Sequence, residues 1–261
     1  MGRFENLEIS IKQKPEPADI KKGFDDAYYL KLAQDAQLNG DFEAALRYYS
    51  RALSYKIDIP EAWSGQVLCL IDLGEFDEAI VWADKACEVI GINAELLALK
   101  AMALGRKGEI ERALGYSEQA MKKGSNSLLF WLSRGDIVIA QDFKNAEFCF
   151  KKALECDNRN PFTHIRIGIS YLSVNEPAPA LKHFKSALEL CPKSPFIYFL
   201  IGKSYQMMGL LKNAKEYYER ALKIKPDYPD CIEAYKGIVG QNIFSKIYYW
   251  IKRNFFMPEE D

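Results

Sequence analysis

Histidine and cysteine are the side chains of this chain that could supply a base near neutral pH, a nucleophile or metal ligands. The 261 residues include two histidines, His164 and His183, and six cysteines. The cysteines form no C-x-x-C pair and have no nearby histidine cluster, so the ligand spacing of a zinc or redox site is missing. We predict reduced cysteines that pack as small apolar side chains. They are Cys69, Cys87, Cys149, Cys156, Cys191 and Cys231.

Catalytic motifs are also missing from the sequence. It contains no nucleophile elbow, no phosphate-binding loop and no H-E-x-x-H motif. The acidic pairs Asp25–Asp26 and Glu259–Glu260 lie near the ends of the chain, where we expect solvated side chains. We therefore predict that the protein is not an enzyme and that it uses no cofactor and no metal.

The charges of the chain are balanced. It has 35 Lys and Arg residues against 36 Asp and Glu residues, so no net field favours nucleic acid or an anionic membrane. The N-terminal residues lack the apolar core of a secretory signal, and no stretch of about 20 apolar residues could span a membrane. We expect a cytoplasmic protein that does not bind nucleic acid.

Two series of alanines indicate that the chain is built from repeated, closely packed helices. A small residue that recurs at a period of about 34 residues indicates that one helix repeatedly crosses another at close range, as in a helical solenoid. The first series is Ala45, Ala79, Ala113, Ala146, Ala180 and Ala214, and the second follows seven residues behind it, at Ala52, Ala86, Ala120, Ala153, Ala187 and Ala221.

A turn is predicted between the two helices of each unit. Asn175 stands there in the fifth unit, and glycine in four others; both residue types tolerate the left-handed conformation that ends a helix. His164 occupies a position near the start of the first helix where other units have Trp63 or Trp131, so we predict that it is a packed residue rather than a ligand. The turn glycines are Gly40, Gly74, Gly108 and Gly209.

These residues resemble the tetratricopeptide repeat, whose pattern is W-x2-L-G-x2-Y, then A-x3-F, then P. The sixth unit, from Pro195 to Tyr228, matches the pattern nearly throughout. The resemblance implies an all-α fold, a right-handed α-solenoid of stacked antiparallel helix pairs with C-terminal capping helices. We predict an N-terminal extended arm (1–25), a C-terminal capping and aromatic segment (229–261), and six repeats between them, at 26–59, 60–93, 94–127, 128–160, 161–194 and 195–228.

Members of this family usually hold a partner's peptide on the concave face, which the first helices line. The resemblance therefore implies a non-catalytic scaffold that binds a peptide or helix of another protein. At the corresponding positions, repeats 1–3 are mainly polar and repeats 4–6 mostly apolar. The partner-binding residues implied in this way are Leu132, Phe162, Ile165, Ile169, Phe196, Phe199, Lys203 and Met207.

Three interpretations of this apolar lining remain open. An apolar surface of more than a few hundred Å² is uncommon on a soluble monomer unless something covers it. A tightly wound superhelix would bury it within the array, a partner segment would bind to it, or one of the chain's own termini would occupy it. In the second case Phe and Ile supply desolvated anchors, and Lys203 contacts an acidic group or carbonyl of the ligand.

The segment 242–257 also allows three interpretations. Its aromatic and aliphatic residues lie on one side of a helical wheel, opposite Lys246, Lys252 and Arg253. It is a second capping helix, a helix lying on a membrane surface, or a contact with a partner or a second copy of the chain. The alternative functions are therefore a peripheral membrane adaptor and a self-assembling scaffold.

The N-terminal arm has a short alternating apolar run, Phe4, Leu7, Ile9 and Ile11. This alternation predicts an extended or partly ordered segment. The segment hangs free, or it lays its apolar residues into a nearby apolar surface, which its tether to the array would favour.

Overall fold

The computed structural model describes residues 7, 11, 24–124 and 126–240. These residues form helices and turns, with no β-strand among them. Twelve helices follow one another as six pairs, and α13 covers 229–240. The twelve are α1 (Asp26–Leu38), α2 (Phe42–Tyr55), α3 (Pro60–Asp72), α4 (Phe76–Ile90), α5 (Ala94–Lys107), α6 (Ile110–Lys122), α7 (Leu128–Val138), α8 (Phe143–Cys156), α9 (Pro161–Ser173), α10 (Pro177–Leu190), α11 (Pro195–Met207) and α12 (Leu211–Ile224).

The helices pack in the order in which they occur along the chain. The two helices of each pair pack against each other across a short turn, and each pair also contacts the next. Every pair lies within one of the six predicted repeats, whose boundaries remain our prediction. The all-α solenoid of stacked helix pairs that the sequence predicted is confirmed.

Local sequence signals set the helix ends. Asp25 accepts a hydrogen bond from the amide of Tyr28 (2.8 Å), which satisfies one of the free N–H groups at the start of α1. Proline occupies the first turn of five of the described helices, where its missing N–H costs no hydrogen bond. Within the pairs, Gly40 (φ 74°) and Asn175 (φ 61°) adopt the left-handed conformation that the sequence predicted at these turns.

Both alanine series lie at the helix crossings. All twelve side chains are fully buried, with 0% exposure. Aromatic rings of the second helices fill the space above glycines of the first helices. A Cβ at Gly202, for example, would lie 2.5 Å from the ring of Tyr218. The alanine and glycine positions therefore allow the close helix contacts that define the stack.

The two ends of the chain are described only in part. Leu7 and Ile11 have helical backbone conformation, and Leu7 is buried in the core of the first helix pairs. The arm over residues 1–25 stays a prediction. The segment 242–257 lies outside the described residues. Among the helices of the described residues, none is long and apolar enough to cross a membrane.

The helix α13 packs on the sixth pair, as a capping helix would. Cys231 and Ile238 are fully buried against this pair, and Tyr235 Oη donates a hydrogen bond to Glu219 Oε1 (3.0 Å). The apolar side of α12 is therefore covered rather than left in water.

Candidate functional site

The inner side of the array encloses a cleft of about 800 Å³, which we call the central cleft. One wall comes from the turns of the first three helix pairs, and the opposite wall from α9, α11 and α13. The first wall consists of Phe42, Ile71, Asp72, Phe76 and Arg106, and the second includes Ile169, Phe196, Phe199, Lys203, Met207, Asp230 and Glu233.

Five of the eight predicted partner-binding residues line this cleft. Lys203 is exposed and Met207 is 37% exposed, whereas Ile169 and Phe199 are half-buried. Phe196 is only 6% exposed, because the first helix pair packs over it. The accessible apolar surface of the predicted set is therefore supplied by Ile169, Phe199 and Met207.

The other three predicted residues lie outside the cleft. Leu132 and Ile165 are 2% and 3% exposed and belong to the core of the later helix pairs. Phe162 is half-buried and packs against the cores of both halves of the array. Leu132 and Ile165 therefore offer little surface to a ligand, and a binding role for all three residues stays a prediction.

The wall formed by the first three helix pairs was missed in the sequence. We described the groove positions of these repeats as mainly polar, but Phe42 and Phe76 enter the cleft from the first residues of α2 and α4. A signal existed, because the first residue of every second helix is apolar. These residues are Phe42, Phe76, Ile110, Phe143, Pro177 and Leu211.

Three contacts join the first helix pair to the start and end of the sixth, and we call them the clasp. They form because the superhelix winds tightly enough to bring its two ends together beside the central cleft. They are the hydrogen bond from Ser194 Oγ to the Leu38 carbonyl (2.8 Å), the edge-to-face contact of Phe42 with Phe196 (centroids 5.4 Å apart), and the ion pair of Lys225 Nζ with Asp41 Oδ2 (3.0 Å).

Two buried ion pairs lie next to the cleft. Arg166 on α9 donates to Asp72 at the end of α3, and these side chains are only 4% and 9% exposed. Arg106 donates through two nitrogens to Asp136, and its Nε lies 2.7 Å from Oδ2. The first pair ties the second helix pair to the fifth, so the inner side of the array is held by charge as well as by apolar packing.

The two carboxylates respond differently to burial. For Asp72, burial raises the pKa, and the charge and hydrogen bond of Arg166 offset only part of this rise. For Asp136, burial also acts to raise the pKa, but Arg106 and the hydrogen bond from Ser170 Oγ (2.5 Å) outweigh it and hold the pKa below its usual value. Asp136 is therefore the better-stabilised anion of the two.

The two histidines face each other between α9 and α10. The Nδ1 atoms of His164 and His183 are 3.3 Å apart, and His164 Nε2 lies 3.2 Å from the Asn158 carbonyl. Burial, helped by the nearby His164, lowers the pKa of His183 to about 4, so this ring is neutral near pH 7. His164 is thus packed against His183 and the Asn158 carbonyl.

The buried thiols lie in surroundings that suppress reactivity. All six cysteines are free, and Cys69, Cys149 and Cys231 are buried. Burial raises the pKa values of Cys149 and Cys231 to about 11, which disfavours the nucleophilic thiolate. Within the described part of the chain, no group of three or more His, Cys, Asp or Glu residues is placed to hold a metal ion.

The stacked helix pairs and the cleft between their ends define the chain as an α-solenoid of helical repeats. Models of the tetratricopeptide repeat match residues 30–93 and 195–228. The chain is a tetratricopeptide repeat protein. This fold commonly mediates protein–protein interaction, and the family is typically a non-catalytic scaffold.

Similar proteins share the fold but differ in size. The Protein CTR9 homolog of Arabidopsis thaliana is 28% identical over 131 residues, which are 48% of this chain and 12% of that protein. A chain in the APC/C hetero-tetramer Cut9–Hcn1 superposes with a TM-score of 0.50 at 16% identity, over 90% of this chain and 46% of that one. The chain thus spans about an eighth of the first relative and about half of the second.

A second similar structure is a monomeric mutant of IFIT1 with m7Gppp-AAAA. It superposes with a TM-score of 0.55 at 17% identity, over 77% of this chain and 51% of that one. At such identities the structural likeness shows the shared helical-repeat fold and nothing about ligands.

Proposed function

We propose that this protein is a non-catalytic scaffold that binds a segment of a partner protein in the central cleft. The observation that carries this proposal is the cleft itself, where half-buried and exposed apolar side chains from both ends of the array surround about 800 Å³. That volume lies in the size range of ligand-binding clefts. The charge balance of the chain argues against nucleic acid as the ligand.

The lining residues describe the segment that would fit. Ile169, Phe199 and Met207 offer apolar surface that remains accessible, so the partner contributes apolar anchor side chains. On α11, the exposed ammonium of Lys203 suits an acidic group or a carbonyl oxygen of the partner. On α13, the carboxylates of Asp230 and Glu233 suit a basic group. The expected ligand is a short segment with apolar residues between charges of opposite sign.

The ring of Phe199 is preorganised for contact with an apolar side chain of the partner. It lies between Tyr218 and Tyr228, with ring centroids 5.9 and 5.3 Å away. Both tyrosines are buried, so they hold Phe199 in place without closing it off from the cleft. A rigid aromatic side chain in a preformed wall loses little conformational entropy when a ligand binds.

The experiment that tests this function is affinity capture from native lysate. We would compare wild type, a cleft variant with Phe199→Ser and Met207→Ser, and a control with Val81→Ser, whose side chain is 50% exposed and lies outside the cleft. We expect proteins that wild type and the control retain and the cleft variant loses. Those proteins would then be divided into peptides, and the affinity of each peptide measured by calorimetry.

Equal capture by the cleft variant and wild type, with equal helicity by circular dichroism, would contradict the proposal. The membrane-adaptor alternative rests on residues 242–257, outside the described part of the chain, and nothing in the described part favours it. For self-assembly, light scattering over a concentration series is the discriminating measurement. The six free thiols fit the reducing cytoplasm, which we propose as the compartment.

A further inference from the structure

We propose that the clasp is a gate that controls access to the central cleft, closed in this structure and opened when a partner segment enters. This inference rests on the function proposed above and adds how the same site is regulated. It follows from three observations: the clasp shares a residue pair with the cleft wall, its ion pair is partly exposed although Ser194 is buried, and one of its turns leaves no room for a side chain.

The first observation is that the clasp and the cleft share Phe42 and Phe196. Both rings line the cleft, from opposite walls, and they also make the edge-to-face contact that joins the ends of the array. Any movement that separates the two rings therefore widens the cleft. A ligand that contacts either ring competes with the clasp or gains from its opening. Ligand binding in the cleft and opening of the clasp are therefore linked equilibria.

The second observation is that the polar contacts differ in exposure. The side chains of Lys225 and Asp41, in the clasp, are 25% and 47% exposed, whereas those of Arg166 and Asp72 are 4% and 9% exposed. Water can replace an exposed ion pair at little cost, but separating a buried pair leaves uncompensated charges. Opening is thus confined to the clasp, and the Arg166–Asp72 pair keeps the second and fifth helix pairs together.

The third observation is the fit of Gly40 against Phe196. Gly40 has a φ of 74°, and a Cβ built there would lie 2.7 Å from the Phe196 ring. Gly74 occupies the same place in the turn of the second pair with a φ of 79°, but nothing lies within 4 Å of its Cβ direction. The substitution to alanine causes similar backbone strain at both positions. Only at Gly40 does it also push the clasp apart.

The test compares Gly40→Ala with Gly74→Ala in the full chain by hydrogen exchange with mass spectrometry. We expect amides of residues 194–200 to exchange at least about fivefold faster in Gly40→Ala than in Gly74→Ala, because Phe196 in this stretch faces Gly40 across the clasp. Amides of α9 around Arg166 should exchange equally in both variants. Equal rates at 194–200 in the two variants, or an equal increase throughout the chain, would overturn the gate.

A second variant avoids backbone strain in case Gly40→Ala fails to fold. Lys225→Gln removes the partly exposed ion pair, and Lys223→Gln, at an exposed position two residues away, is its control. We expect faster exchange of residues 38–42 in the first variant only. No difference between these two variants would count against the clasp as a gate.

Access to the cleft is measured with the apolar dye 1-anilinonaphthalene-8-sulfonate. We expect Gly40→Ala to bind the dye with at least about threefold higher affinity than Gly74→Ala. Adding Phe199→Ser to Gly40→Ala should cancel this gain in affinity. Faster hydrogen exchange at the clasp without a change in dye affinity would overturn the proposal that the clasp is a gate. Failure of the proposed function would appear separately, as partner capture that Phe199→Ser and Met207→Ser do not affect, whatever the clasp does.

Discussion

The ring of Phe42 meets the ring of Phe196 edge-on, with centroids 5.4 Å apart and planes at 89°, although one begins the second helix of the first pair and the other lies in the first helix of the sixth pair. This contact brings the ends of the array together. It buries Phe196, which the sequence assigned to the binding groove. It also places Phe42, from a repeat whose groove positions are mainly polar, in the wall of the cleft.

Phe196→Ala should destabilise the protein by about 2 to 4 kcal/mol. The side chain is 6% exposed, and its removal leaves a cavity between the ends of the array. Phe148→Ala, at a position that is 53% exposed, should cost less than about 1 kcal/mol. Urea unfolding followed by circular dichroism measures both. Equal midpoints would mean that the ends of the array are not packed together in solution.

Arg166→Met should destabilise the protein by about 3 to 5 kcal/mol, because it leaves the buried Asp72 carboxylate without its partner. The double substitution Asp72→Leu with Arg166→Met should recover most of that loss. The exposed pair of Arg220 and Glu216 is the matched control, and breaking it should cost less than about 0.5 kcal/mol. A double-mutant cycle by chemical denaturation gives the coupling energies, and a small coupling between Asp72 and Arg166 would contradict the structure.

Stability should fall between about pH 6.5 and pH 4 through His183. Burial and the neighbouring His164 lower its pKa from 6.5 to about 4, so the unfolded chain binds the proton more readily than the folded one. The contribution is therefore fully present above pH 6.5 and is lost as the pH falls through 4, on the order of 3 kcal/mol in total. Thermal melts of wild type and His183→Phe over this range would test it. A wild-type slope that survives the substitution would assign the effect to other groups.

Alanine substitutions at two helical glycines should change the free energy of unfolding in opposite directions. Gly115 on α6 has open space around its Cβ direction, so Gly115→Ala should stabilise the protein by about 0.5 to 1 kcal/mol through helix propensity. Gly202 lies under the ring of Tyr218, and Gly202→Ala should destabilise by about 1 to 3 kcal/mol through overpacking. Denaturant midpoints report both changes, and stabilisation by Gly202→Ala would show that Tyr218 does not cover that glycine.

The fold could be predicted from the sequence because its signals are local. The alanines at 34-residue spacing lie at the crossings of neighbouring helices, and turn residues such as Gly40 and Asn175 adopt the left-handed conformation that their chemistry allows. Each signal depends on one helix and its neighbour. For this reason the helix pairs, their order and the family followed from the chain alone.

Part of the candidate site could be predicted in the same way. The inward positions of α11 carry Phe199, Lys203 and Met207, and all three line the cleft because they share one helix face at spacings of four residues. Leu132 and Ile165 occupy similar positions on earlier first helices but lie in the core. The sequence of a single repeat does not distinguish these cases, since it gives the face of a helix but not what lies opposite.

By itself, then, the sequence determined the elements and their nearest neighbours, whereas the tertiary structure decided how far the superhelix winds. The winding is the sum of small rotations between successive pairs, each set by side-chain packing, and a few degrees at each step decide whether the ends meet. Only that sum brings Phe42 to Phe196 and Arg166 to Asp72, closes the clasp and shapes the central cleft.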